Sequence, residues 1–109
     1  MNISLREANL NDRDLLYSWF NDKSSLKYKI KTTDTISILQ HTEWFNNKLK
    51  DFNTFIWIIE NDKKESLGQI RFEKLKGKYY DIDIFVIKSA RNAGLASEAL
   101  KKAEIICRL

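Results

Sequence analysis

The chain has 109 residues, 43% apolar and 31% charged, with three Gly and no Pro. That balance gives one globular domain with one modest core and excludes collagen-like and low-complexity chains. Nineteen basic residues against fifteen acidic ones leave a net charge of +4, a mild excess that suits a polyanionic small molecule or a nucleic acid without choosing between them. One cysteine, Cys107, and one histidine, His41, cannot supply the about four protein ligands of a structural zinc site, so no metal is expected. A lone cysteine makes no internal disulfide, which points to a reducing, cytoplasmic setting. No segment approaches the ~20 apolar residues of a membrane span, and the N-terminus lacks a secretory pattern.

In chain order, Ile3 and Leu5 alternate with polar residues and predict a short strand over 3–8. Asn11 or Asp12 is the expected cap of a first helix, with Leu15, Leu16, Trp19 and Phe20 on one face and Asn21 to Lys23 closing it. Residues 24–36 are polar and read as a loop. Ser37 with Gln40 forms a capping-box pattern opening a second helix. Ile38, Phe45, Leu49 and Phe52 are its expected inner face, with Trp44 at the edge.

Three strands follow. Phe55 to Ile59 is β-branched and aromatic. Asn61 to Lys64 is a turn, and Leu67, Ile70 and Phe72 belong to a strand ending near Lys74. Lys76-Gly77-Lys78 is a second turn. Tyr80, Ile82, Ile84 and Val86 then alternate with Asp81, Asp83 and Phe85. A last helix carries Leu95, Ala99, Leu100, Ala103 and Ile106 on one face and is still running at Leu109. The predicted architecture is α+β, a single domain with the order β-α-α-β-β-β-α and a mainly antiparallel sheet.

The chemistry concentrates where the last strand feeds a short loop and then a helix. The first turn of a helix has unpaired amides and partial positive charge, an anion site suited to a pyrophosphate. A side chain at Gly94 would obstruct the phosphate's approach, and Ala96 is small for a similar reason. Arg91 adds positive charge, and Ser97 can donate a hydroxyl hydrogen bond.

Arg91-Asn92-Ala93-Gly94-Leu95-Ala96 resembles the signature of the GNAT N-acetyltransferase superfamily: Arg or Gln, two residues, Gly, one residue, then Gly or Ala. The resemblance extends to the opening, Ile3 to Ala8, then Asp14-Leu15-Leu16 and Trp19 to Asp22, as in many bacterial members. It implies that the loop's amides hold the pyrophosphate of acetyl-coenzyme A and that Ile84, Phe85 and Val86 hold its pantetheine arm. It also implies that a carboxylate on the same strand, Asp81 or Asp83, takes the proton of the attacking amine. His41-Thr42-Glu43-Trp44-Phe45 resembles the subgroup that acetylates nucleotide-linked amino sugars, and Asn21 and His41 are candidate contacts for the acceptor. The GNAT fold continues past such a helix with further strands that carry the general acid. The expectation is therefore a truncated domain with an exposed strand edge at 79–87 open to a second copy.

The leading reading is an acetyl-coenzyme A-dependent N-acetyltransferase acting on a small primary amine. The alternative is a non-catalytic acyl-coenzyme A-binding module. A nucleic-acid-binding domain is disfavoured, because Lys and Arg are scattered among acids and do not line one face.

Overall fold

The computed structural model describes residues 2–22, 37–77, 79–91 and 93–108. The predicted loop over 24–36, and Lys78 of the second turn, lie outside the described residues. Strands β1 (Ile3–Glu7), β2 (Thr54–Asn61), β3 (Ser66–Lys74) and β4 (Tyr80–Val86) pair in sequence order, each antiparallel to the next. Helices α1 (Arg13–Phe20) and α2 (Ile38–Lys50) follow β1, and α3 (Leu95–Arg108) follows β4. The order is the one the sequence predicts.

Each face of the sheet is covered. Ile56, Ile58 and Phe85 pack with Leu16 and Trp19 of α1 and Phe45 of α2. On the other face, Trp57, Ile59, Ile70 and Phe72 meet Leu95, Ala99 and Ala103 of α3. A strand buried on both faces has no polar side to show, which is why β2 reads as an unbroken apolar run. The small Ala99 and Ala103, both fully buried, let α3 lie close to the sheet.

Three details differ from the sequence reading. First, a 3₁₀ turn, Leu10–Asp12, precedes α1; Asp12 stands at the N-cap of α1 as expected but makes no side-chain cap bond, and a capping box at Asn9 opens the turn. Asn9 Oδ1 accepts from Asn11 N–H at 2.9 Å, and Asp12 Oδ2 accepts from Asn9 N–H at 2.8 Å. Asp12 is instead the anchor of Arg6, whose guanidinium donates to both its oxygens at 2.9 and 3.0 Å and to Glu60 at 3.2 Å. Burial works to raise the Asp12 pKa, but the bonds from Arg6 and Asn9 together hold it below the usual carboxylate value.

Second, the inner face of α2 is His41 and Phe45, both fully buried. Ile38 is partly exposed, and Phe52 is 97% exposed because the helix stops at Lys50 before its register can bring residue 52 inward. The capping box itself forms as predicted, with Gln40 N–H donating to Ser37 Oγ and Ser37 N–H to Gln40 Oε1, both at 3.1 Å. Third, Ile106 on α3 faces solvent while Cys107 packs against the cluster of Trp57, Ile70, Phe72 and Ala103. The i, i+4 series 95, 99, 103 continues to 107.

One glycine is fixed by close approach. A Cβ on Gly68 would sit 2.1 Å from the carbonyl oxygen of Phe85. The ladder register shifts between Ile59 and Glu60 opposite this point, so Leu67 is an extra residue and turns inward.

Candidate functional site

The strand–loop–helix unit begins at β4. Ile87 N–H donates to Leu67 O at 2.8 Å, and main-chain groups alternate along an antiparallel strand. Those of Phe85 therefore face β3, while those of Ile84 and Val86 face the outer edge of β4. Phe85 thus offers its main chain to the sheet and not to a ligand, a correction to the three-residue expectation. Its ring is buried and stacks on Trp19, with centroids 5.4 Å apart.

After a 3₁₀ turn, Lys88–Ala90, the chain reaches Arg91 in extended conformation. Arg91 does not project as a bare cation. Its Nε donates to Val86 O at 2.7 Å, and its guanidinium lies 5.5 Å from the centre of the Phe85 ring. It braces the loop against the strand it has just left. Asn92 lies outside the described residues.

Gly94 adopts φ +76°, a left-handed conformation that side chains resist. Among the described residues a Cβ there would meet nothing within 4 Å, so the requirement they show is conformational, not crowding. The first helical bond of α3 runs from Glu98 N–H to Gly94 O at 3.1 Å. The amides of Leu95, Ala96 and Ser97 precede it and have no intrahelical acceptor. Ala93, Gly94, Ala96 and Ser97 are exposed, while Leu95 is buried and pins the helix start to the sheet. The result is a positively polarised helix start with small residues on its open side.

The opposite face of β4 carries the carboxylates. Asp81 lies across from Glu73 and is exposed, whereas Asp83 lies across from Arg71 and is half-buried. Asp83 Oδ2 accepts from Gln69 Nε2 at 2.9 Å. Arg71 is held 5.1 Å over the Trp44 ring of α2. These groups share the α1/α2 side with Phe85, one residue period from the start of the loop.

Residues 2–106 match the family described as Acetyltransferase (GNAT) domain. The chain belongs to the GNAT acetyltransferase family. Its GNAT fold is shared with solved structures of low sequence identity. A spermidine N-acetyltransferase from Vibrio cholerae, in complex with CoA and spermine, matches with TM-score 0.80 at 16% identity, over 93% of this chain and 60% of that one. The same species' spermidine/spermine N-acetyltransferase with manganese ions matches with TM-score 0.70 at 16% identity, over 93% and 58%. A domain from Methanocaldococcus jannaschii matches with TM-score 0.77 at 21% identity, over 96% and 71%. This chain therefore spans about three fifths of the length of the Vibrio enzymes. No curated protein matches the sequence.

In this GNAT domain His41 is not a surface residue. It is fully buried between α1 and α2, and its Nε2 donates to the Arg13 carbonyl at 3.0 Å. The rings of Tyr17, Phe20, Trp44 and Phe45 surround it. The ring ties two helices together and is closed to an acceptor, which corrects its expected role. Burial pushes its pKa below the ordinary imidazole value, against the pull of the Arg13 carbonyl. In the unfolded chain His41 takes up its proton near pH 6.5, before the folded chain does. Stability is thus complete above that pH and declines as pH falls below it, by at most about 1.4 kcal/mol per pH unit. Denaturant midpoints between pH 7.5 and 5 should show this slope, and His41→Phe should flatten it; an equal slope in the variant would remove His41 as the cause.

Asn21 is half-buried at the end of α1, with its N–H donating to Tyr17 O at 3.2 Å. The sequence reading missed Gln69, Gly68 and the Arg71–Trp44 contact. A glutamine beside a glycine, inside an otherwise apolar strand, was the available signal.

Proposed function

We propose that this domain binds acetyl-coenzyme A along the outer edge of β4 and at the start of α3, and transfers the acetyl group to a primary amine of a small molecule. The observation that carries the reading is the left-handed Gly94 opening a 14-residue helix. The first-turn amides of that helix, flanked by exposed Ala93, Ala96 and Ser97, suit a pyrophosphate. Ser97 supplies a hydroxyl donor. Ile84 offers its main-chain groups, and Val86 its N–H, to the pantetheine amides in the manner of an added strand, the Val86 carbonyl being held by Arg91. Arg91 acts by bracing the loop and by its charge.

Catalysis then requires the amine to be held, deprotonated and presented to the thioester. The amine nitrogen attacks the thioester carbonyl carbon. A C–N bond forms, the C–S bond breaks, and the thiolate of coenzyme A leaves. Asp83 takes the amine proton, since it is half-buried, fixed by Gln69 and on the same strand as the arm. Asp81 is the second candidate, exposed and without such a tether. A primary amine in a nucleotide-linked sugar is the acceptor the sequence resemblance favours. The His41–Phe45 stretch that carries that resemblance is packing between helices, so no contact supports it directly. The spermine bound by the Vibrio enzyme makes a polyamine the natural comparison acceptor. Asn21 stands as the acceptor contact at the end of α1. A second copy adding to the outer edge of β4, which pairs only with β3 among the described residues, would compete with the pantetheine arm for the main chain of Ile84 and Val86. A cytoplasmic setting supplies acetyl-coenzyme A.

Ala96→Glu separates fold from function. A carboxylate in the first turn of a helix is neutral or mildly stabilising, but here it would repel the pyrophosphate. Calorimetric titration should show acetyl-coenzyme A affinity reduced by at least about tenfold, one unit of like charge at close range, with the melting temperature unchanged. Unaltered affinity would place the pyrophosphate elsewhere.

A further inference from the structure

Gln69 is fully buried in the central strand β3, flanked in register by Ile58 on β2 and Phe85 on β4. Its Nε2 donates to Asp83 Oδ2 at 2.9 Å, and its Oε1 is buried without a hydrogen-bond partner among the described residues. A buried acceptor left unpaired costs about 1–3 kcal/mol, and leucine would occupy a similar volume without that cost. The amide cannot turn over while Asp83 is ionised, because Oε1 would then face a carboxylate oxygen, acceptor against acceptor. The folding balance therefore argues against glutamine here, and what the amide provides is a fixed donor to one carboxylate oxygen.

We propose that Gln69 is a positioning residue for acyl transfer. It occupies Oδ2 of Asp83 and thereby directs Oδ1, unengaged among the described residues, toward the acceptor amine. The amine proton passes to Oδ1 as the C–N bond forms and the C–S bond to coenzyme A breaks. Without the amide, the carboxylate rotates about its side-chain bonds and presents either oxygen, and the productive geometry is lost in part of the population. This inference rests on the reading of Asp83 as the base.

The test is a kinetic double-mutant cycle on the 109-residue chain. Gln69→Leu, Asp83→Asn and the double variant are assayed by thiol release from acetyl-coenzyme A, with a nucleotide-linked amino sugar and spermidine as acceptors. Gln69→Leu should lower kcat on the order of tenfold, leave KM for acetyl-coenzyme A unchanged, and keep or raise the melting temperature. In the Asp83→Asn background it should cause no further loss. A merely structural role would lower the melting temperature and act equally in both backgrounds. If Gln69→Leu does not fold, Gln69→Met carries the same expectation with a more adaptable side chain. Loss of turnover in Asp83→Asn with an unchanged kcat in Gln69→Leu would overturn this inference and leave the base assignment standing. Turnover insensitive to Asp83→Asn, or no turnover by the unaltered chain, would overturn the underlying reading and this inference with it.

Discussion

Asp83→Asn should lower kcat by about 100- to 10,000-fold, the usual contribution of a positioned general base, with acetyl-coenzyme A affinity within about twofold of the parent. The substitution keeps the size of the side chain and an oxygen that can still accept from Gln69 Nε2. It removes the charge and the basic oxygen. Because Asp83 lies on the α1/α2 side of β4 and the helix start lies beyond the end of that strand, the loss should appear in turnover and not in cofactor binding. Asp81→Asn is the internal comparison. Asp81 is exposed and opposite Glu73, so its replacement should change kcat by less than about threefold, the scale of an exposed charge. A larger effect at Asp81 than at Asp83 would exchange their roles.

Gly68→Ala should destabilise the protein on the order of 3 kcal/mol, the upper end of the cost of forcing an atom into a packed interior. The new methyl would stand 2.1 Å from Phe85 O and 3.0 Å from Val86 Cα. Those are backbone atoms of the neighbouring strand, and no side chain can swing away to relieve the clash. β3 and β4 must part, which weakens the ladder at Gln69–Phe85 and displaces the strand that carries the loop. Such a loss is a large fraction of a typical domain's stability. Gly77→Ala provides the contrast. Gly77 has φ +73° but open space around a Cβ, so only backbone strain of about 1 kcal/mol is expected. Urea midpoints for the two variants should differ accordingly; equal midpoints would mean that the strands yield more easily than a packed sheet allows.

The fold was largely legible because its elements carry local signals. Ser37 and Gln40 announce the start of α2, and Leu95, Ala99 and Ala103 announce the buried stripe of α3. Motif and context located the loop as well, since Gly94 sits between a strand and an apolar-striped helix. What stayed hidden were facts set by tertiary packing. His41 reads as a contact for the acceptor, yet four aromatic neighbours enclose it. Phe52 reads as core because it is apolar, yet α2 stops two residues short of it. Arg91 reads as a positive charge at the loop; that it also braces the loop appears only when the Val86 carbonyl is found 2.7 Å from its Nε. The bulge at Leu67 and the close approach at Gly68 appear only when β2, β3 and β4 are paired. Gln69 could be seen as polar in an apolar strand, but its partner, fourteen residues away, appears only when β3 and β4 are paired.

The central claim is that the outer edge of β4 and the start of α3 hold acetyl-coenzyme A. Amide chemical-shift mapping of the ¹⁵N-labelled chain during titration with acetyl-coenzyme A tests it most directly. The account predicts saturable shifts at Ile84, Val86 and Ala93 to Ser97, with His41 and the β1–β2 ladder unmoved. Saturable binding whose shifts fall on α1 and α2 and leave Gly94 to Ser97 unmoved would contradict it, as would no binding at millimolar cofactor.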